Sequence, residues 1–376
     1  MSRYFETLIH ACENAGLHRP VLVLDQMRLN ANLICLRENL PTGIALRLAD
    51  KSLPVPDLLE HGFQALGTDQ VMSFHLPLTA RVLARFPATH ALMGKPMPVA
   101  AAAEFLNNCP DASRVTWLID SAATLAEYRS LAVETGTSLR VAFEVNIGLG
   151  RGGFETPKEL AACLSDTSPL IPCGLMGYEA HVNALPKFLG GGAQAQEHAM
   201  NRLGAFVNCL SPEQRQIINT GGSNTVLGLP GNGPANDFTL GSLMLKPSDF
   251  DQTLNAAIEP ALFIVTPVLK TCLHGLPGHP RLSGLLRGTR IIRDRISFAY
   301  GGKWMARPVY PEGLAKSPFF DASSNQNGLC LPRHAEAPGH FVFWPTQSEA
   351  VLQHFGTVHV FDGNDICREM DPFPIC

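Results

Sequence analysis

The sequence predicts an α/β fold, a (β/α)8 TIM-type barrel followed by a β-rich C-terminal domain. Two observations carry this. From residue 21 to about 245, short apolar runs alternate with longer helix-like stretches, as in a parallel sheet with crossover helices. After about residue 255 the runs turn β-branched and aromatic, separated by Gly and Pro. The predicted divisions are an N-terminal segment, 1–20, packing on the β domain; a barrel, 21–250; and the β-rich domain, 251–376. A length of 376 residues suits two domains.

The elements follow in order. VLVLD (21–25) reads as an opening strand, and QMRLNANLICLREN after it as a helix. Eight strand-like runs come next: IALRLA (44–49), QALGTD (64–69), HALMG (90–94), VTWLID (115–120), LRVAFEVN (139–146), CGLMGYEA (173–180), QIINTGG (216–222) and DFTLGS (237–242). Helical candidates between them include VPDLLEHG, VMSFHLPLTARVLARF and AATLAEYRSLAVETG. Eight β/α units are the count of a closed barrel. A doubly wound open sheet is disfavoured, because no GxGxxG opens a helix after the first strand. Beyond it, ALFIVTPVLKTCL, TRIIRDRISFAYGG, HFVFWP and VHVFDGN read as strands.

Composition excludes several classes. With 45% hydrophobic and 16% charged residues and a net charge of −4, the chain is globular and weakly acidic. No basic cluster interleaves with aromatics, so no nucleic-acid partner is expected. The ten cysteines form no CxxC pair, which fits reduced thiols in a cytoplasmic protein. The first residues include Glu6, His10 and Glu13 and lack the apolar centre of a signal peptide. No membrane span is expected, since no apolar run reaches about 18 residues.

Three segments carry chemistry, each at a predicted strand end. Lys51 follows IALRLA, where a barrel places reactive groups. Arg151 sits in NIGLGRGGF, whose glycines let the backbone approach a ligand and whose guanidinium suits a phenolate or phosphate. INTGGSNT (218–225) offers backbone N–H groups and hydroxyls to a phosphate. Together they describe a site for pyridoxal 5'-phosphate, with the lysine holding the aldehyde as a Schiff base.

This arrangement resembles the alanine-racemase-like, fold type III pyridoxal phosphate enzymes, and within them the D-threonine aldolase and D-serine dehydratase branch. The loosely named amino acid deaminase/aldolase subgroup is the most similar. VLVLDQMRLNANL, ADKS, EVNIGLGRGGF, GLMGYEAHV, INTGGSNT and PTQSEAVLQHFGTVHVFDG carry the resemblance, in matching order over essentially the whole chain. It implies Lys51 as the Schiff-base lysine and Arg151 as partner of the ring hydroxyl. It implies Tyr178 and His181 beside the ring or its nitrogen. Gly221, Gly222, Ser223 and Thr225 are implied as phosphate ligands, completed by Gly241 and Ser242. Lys95 lacks a matching motif, and Lys246, at the last strand, reads as a solvated charge rather than one supporting the site. The resemblance also implies a small amino-acid substrate and a homodimer.

The sequence departs from the branch in one place. Its D-threonine aldolases and D-serine dehydratases carry a histidine and a nearby cysteine or aspartate that bind metal in the C-terminal domain. Here the segment reads FWPTQSEAVLQHF, so the His/Cys ligand pair is absent, Glu349 alone does not make a cation site, and metal dependence is left open. Gln347, Ser348 and Glu349 stand there instead, as candidates for substrate recognition or acid/base work. The expected function is a lyase, aldolase or dehydratase, acting on a β-hydroxy D-amino acid. Tyr178 favours it, because elimination and aldol chemistry can use a neutral partner for the ring nitrogen. A racemase is the alternative, with Tyr300 or Tyr310 as second acid across a dimer. A non-catalytic pyridoxal phosphate-binding protein, or a (β/α)8 enzyme using Lys51 on its substrate directly, are further alternatives.

Overall fold

The structure is a computed structural model that describes residues 2–184, 191–333 and 335–374. Helix α1 (Ser2–Asn14) leads to strand β1 (Val21–Asp25) and helix α2 (Gln26–Asn39). Eight strands follow: β2 (Ala45–Ala49), β3 (Gln70–Ser73), β4 (Ala91–Met93), β5 (Val115–Ile119), β6 (Arg140–Glu144), β7 (Ile171–Met176), β8 (Ile217–Thr220) and β9 (Asp237–Leu240). Between them run α3 (Pro56–Leu66), α4 (Leu76–Arg85), α5 (Val99–Asn108), α6 (Ala122–Thr135), α7 (Pro157–Leu164), α8 (His181–Ala184) and α9 (Ala193–Val207).

Strands β2 to β9 close into a barrel, each pairing parallel with the next and β9 pairing back onto β2. Residues of β5 and β9 are buried throughout, as parallel strands covered on both faces must be. The helices between are bounded by ordinary signals. Pro56 opens α3 and Gly67, at φ 65°, ends it. The Ser121 hydroxyl accepts the Thr124 amide at the start of α6, and Thr156 with Glu159 forms a capping box on α7.

Two sequence expectations are corrected. The second barrel strand is not QALGTD (64–69) but QVMS (70–73). Gln64–Leu66 prolongs α3, because the left-handed position at Gly67 falls after them. The barrel also does not begin at residue 21. Strand β1 pairs antiparallel with β10 (Leu262–Leu273) and parallel with β16 (Val358–Phe361) in a separate sheet.

Contacts divide the chain into two compact units, Met1–Asn32 with Leu245–Asp251 and Glu259–Pro372, and Leu33–Met244 with Gln252–Ile258 and Phe373–Cys376. The first is a mostly antiparallel nine-stranded sheet. It holds β1, β10 and β16 together with β11 (Arg295–Tyr300), β12 (Ala306–Tyr310), β13 (Ala315–Lys316), β14 (Gln326–Cys330), β15 (His340–Pro345) and β17 (Ile366–Met370). Helices α10 (Pro280–Gly288) and α11 (Glu349–Leu352) belong to it. Phe5, Leu8, Ala11 and Cys12 of α1 pack with Val21, Val23, Phe263 and Phe361 in its core. The cysteines among the described residues are free thiols, and Cys376 lies outside those residues. No described helix is long and apolar enough to cross a membrane.

A buried ion pair lies where the barrel closes. Arg47 Nε on β2 donates to both carboxylate oxygens of Asp237 on β9, at 2.9 Å each. Asn219 Nδ2 on β8 reaches the same carboxylate and the Thr239 hydroxyl. Removing one partner of such a pair strands a buried charge. Arg47→Ala is therefore expected to lower unfolding free energy by about 3–5 kcal/mol in urea titrations, with Arg47→Met/Asp237→Leu recovering much of it.

Candidate active site

The strand ends of the barrel gather most of the residues singled out in the sequence. Directly after β2, Asp50–Ser52 forms a single 3-10 turn that carries Lys51. The Lys51 ammonium stands 4.7 Å from the Phe74 ring centroid. Gly241, just after β9, abuts this turn. A Cβ there would sit 2.9 Å from Ala49 Cβ and 3.1 Å from Ser52 Cβ, so glycine lets the first and last strand ends approach. Ser242 begins the next 3-10 turn and is buried.

After β6 the glycine-rich loop is organised by Asn146. Its Oδ1 accepts the amides of Gly148 and Gly150 at 3.0 Å each, and its amide group donates to Glu155. Arg202 holds the Asn146 carbonyl at 2.7 Å. The loop places the Arg151 guanidinium 5.4 Å from the Tyr178 ring centroid, beyond β7. Glu144 closes β6, and burial raises its carboxyl pKa against the pull of Arg151. Sequence reasoning passed over Glu144.

Beyond β7, three consecutive functions share one short segment. Tyr178 packs on the loop after β8, where a Cβ on Gly222 would lie 2.8 Å from Tyr178 Cε2 and 3.1 Å from its hydroxyl. His181 packs on Gly148, with Nε2 2.9 Å from where a Cβ would be. Among the described residues its buried Nδ1 has no partner, and desolvation lowers its pKa. Between them, Glu179 is fully buried.

Glu179 changes the reading of INTGGSNT. Its carboxylate accepts from the hydroxyls of Thr220 and Thr225 and, at 3.2 Å, from the Gly221 amide. Thr225 and the Gly221 amide are thus spent on a protein carboxylate rather than offered to a phosphate. The Ser223 oxygen accepts the Leu243 amide at 3.1 Å, which leaves its own proton to donate. What remains is that hydroxyl and the backbone. Among the described residues the amides of Gly222, Ser223 and Asn224 have no acceptor. Three successive free N–H groups after a positive-φ glycine, Gly221 at φ 93°, form an anion-binding concavity. A phosphate fits it, and pyridoxal phosphate therefore fits the rim: an amine on β2, a cation after β6, a tyrosine after β7 and bare amides after β8.

Gln347, Ser348 and Glu349 lie in the sheet unit. Gln347 donates to Asp249 at 3.3 Å. Ser348 is buried, and its carbonyl receives the Val351 and Leu352 amides that start α11. The Ser348 hydroxyl points at the Glu349 carboxylate, at 3.3 Å. Among the described residues no three His, Cys, Asp or Glu side chains gather to hold a metal ion. His340 pairs with Glu13, at 3.2 Å.

Residues 88–243 match the family model described as alanine racemase, N-terminal domain. The match covers the barrel from β4 to β9. Solved structures share the whole architecture at low identity. The D-threonine aldolase from Filomicrobium marinum superposes with a TM-score of 0.70 at 15% identity, covering 94% of each chain. The D-threo-3-hydroxyaspartate dehydratase from Delftia sp. HT23 gives 0.69 at 15%, covering 94% of this chain and 97% of its own. The alanine racemase from E. faecalis gives 0.64 at 16%, covering 87% and 88%. No curated protein sequence matches the chain.

The contact of Tyr178 with Gly222 is testable. Gly222→Ala is expected to displace the Tyr178 ring and weaken pyridoxal phosphate binding at least about tenfold, on the scale of 1.4 kcal/mol, read by equilibrium dialysis.

Proposed function

We propose that the protein is a pyridoxal phosphate-dependent lyase acting on a β-hydroxy D-amino acid, by retro-aldol cleavage or by dehydration. One observation carries the choice of lyase, the seating of the neutral Tyr178 side chain on Gly222 beside Arg151. The barrel unit has only one other tyrosine, Tyr128, whose hydroxyl is occupied by the Met97 carbonyl at 3.1 Å. The neighbours named D-threonine aldolase and D-threo-3-hydroxyaspartate dehydratase agree with this reading.

Lys51 would hold the cofactor through its amine, with the Gly222–Asn224 amides on the phosphate, Arg151 toward the ring oxygen and Tyr178 along the ring. When bound, pyridoxal phosphate supplies an electron sink for charge released at the substrate Cα. Lys51 serves the proton at Cα, taking it in dehydration, where the hydroxyl leaves as water, and returning one to Cα after retro-aldol cleavage. In retro-aldol cleavage His181 is the base for the substrate's β-hydroxyl, since its depressed pKa keeps the imidazole neutral and able to take a proton. Gly241 and Ser242 pack the Lys51 turn from the β9 side. The enzyme is a cytoplasmic homodimer.

Racemisation requires a second acid on the opposite face of the substrate. Tyr310 is half-buried against Phe5 in the sheet core, with ring centroids 5.9 Å apart. Tyr300, 44% exposed, is the remaining candidate for the racemase alternative.

Protein loaded with pyridoxal phosphate is expected to release aldehyde or keto acid from D-threonine, D-serine or D-phenylserine. Racemisation of alanine or serine with neither product would replace the lyase by the racemase. Lys51→Ala should lose the visible absorption of bound cofactor and the borohydride-trapped adduct; a colourless wild type with a free amine would leave the scheme without basis.

His181→Gln should lower kcat by about 10²–10⁴. The sign of its pH dependence follows from the lowered pKa: the neutral base survives below the ordinary 6.5, so the acid limb of kcat/KM should lie under that pH.

A further inference from the structure

Asp50 immediately precedes Lys51 and is fully buried, yet no step above uses it. Its Oδ2 meets the Ser73 hydroxyl at the end of β3. Ser73 Oγ lies 2.6 Å from Thr79 Oγ1, which reaches the His75 carbonyl at 3.0 Å at the start of α4. Asp50 Oδ1 is buried with no partner.

This chain of oxygens has two complete arrangements. With Asp50 ionised, Ser73 donates to the carboxylate and Thr79 donates to Ser73 or His75. With Asp50 protonated, the acid proton goes to Ser73, Ser73 donates to Thr79, and Thr79 donates to the His75 carbonyl. Every hydroxyl has an acceptor in both, so the network accommodates either state without moving a side chain. An unpartnered buried oxygen is tolerated when neutral and penalised when charged. Burial accordingly raises the Asp50 pKa to about 7, against the nearby Lys51 amide and ammonium and the Ser73 hydroxyl, which favour the anion. The groups facing Asp50 from β3 and α4, Ser73 and Thr79, are uncharged, and the charge acting on it is that of Lys51.

We propose that Asp50 is a positioning residue for Lys51: its buried carboxyl anchors the turn that carries the lysine to β3 and α4, and its ionisation sets the pH range in which the amine reacts. This rests on Lys51 as the attachment point of the cofactor. An anion one residue away holds the proton on the amine; a neutral acid releases it. Loss of the Asp50 charge below neutrality thus helps the amine to be free where it otherwise would be protonated.

The test compares wild type, Asp50→Asn and Ser73→Ala as apo proteins. Each is mixed with pyridoxal phosphate across pH 5–9, reduced with borohydride, and the adduct mapped by mass spectrometry. In wild type the trapped fraction should show an inflection near the Asp50 pKa, about 7. Asp50→Asn should lack it and reach half-trapping about one pH unit lower than wild type above that inflection. Ser73→Ala, having lost a donor to the anion, should move the inflection up.

Thermal melts give a reading free of cofactor. The folded state holds this proton more tightly than the unfolded chain between 3.8 and about 7, so stability falls as pH rises through that window. Asp50→Asn should remove that fall. Adducts on Lys51 with superimposable pH profiles for wild type and Asp50→Asn overturn the role of Asp50 while leaving the attachment intact. Adducts on another lysine overturn the attachment, and this proposal with it.

Discussion

The meeting of the first and last barrel strands is the constraint on which the site depends. β2 and β9 lie 190 residues apart at Arg47 and Asp237, and their parallel pairing ends the sheet on itself. Closure aligns every strand so that all carboxyl ends share one rim. Lys51 and Gly241 become neighbours through this pairing, and Gly241 has no Cβ because Ala49 and Ser52 occupy that space. The ion pair sits below, in a barrel interior where an unpaired charge is costly, which fixes the register as well as the contact.

Above that layer the loops are held by one buried anion. Glu179 ties Thr220, Gly221 and Thr225 to the end of β7, so the loops after β7 and β8 move as one piece. The Thr220 and Thr225 hydroxyls are consumed in the process, and the anion site is left to three backbone amides and the Ser223 hydroxyl. Backbone donors are fixed by the turn itself and lose no rotamer freedom on binding, which is how a small anion site is preorganised. The same segment delivers Tyr178 and His181 onto glycines of two different loops, Gly222 and Gly148.

Much of this was legible in the chain because it rests on local pattern. Seven of the eight strand-like runs fall on barrel strands, and the reactive residues stand at their ends because apolar runs stop where the rim begins. QALGTD misled because Gln64–Leu66 completes the apolar face of α3, and a short apolar run does not distinguish helix from strand. VLVLD looks like any buried parallel strand. Its membership of the sheet depends on Val265 and Val358, far along the chain. Thr225 read as a phosphate ligand because nothing local reveals that Glu179 takes its proton. Asp50 and Glu144 went unnoticed for the same reason: burial raises their pKa, and burial is a tertiary property.

Those two acids shape the electrostatics of the rim. Arg151 brings a fixed positive charge, while desolvation raises the Asp50 pKa to about 7 and lifts that of Glu144 above its ordinary value. Glu179 sits among three donors. The rim therefore combines a cation with acids that can shed their charge, a balance suited to a dianionic phosphate and a carboxylate-bearing substrate. Had all the carboxyls ionised in full, they would have offset that cation and repelled both ligands. The barrel keeps the acids for structure and proton placement, and leaves the attraction of anions to Arg151 and the amides of the β8 loop.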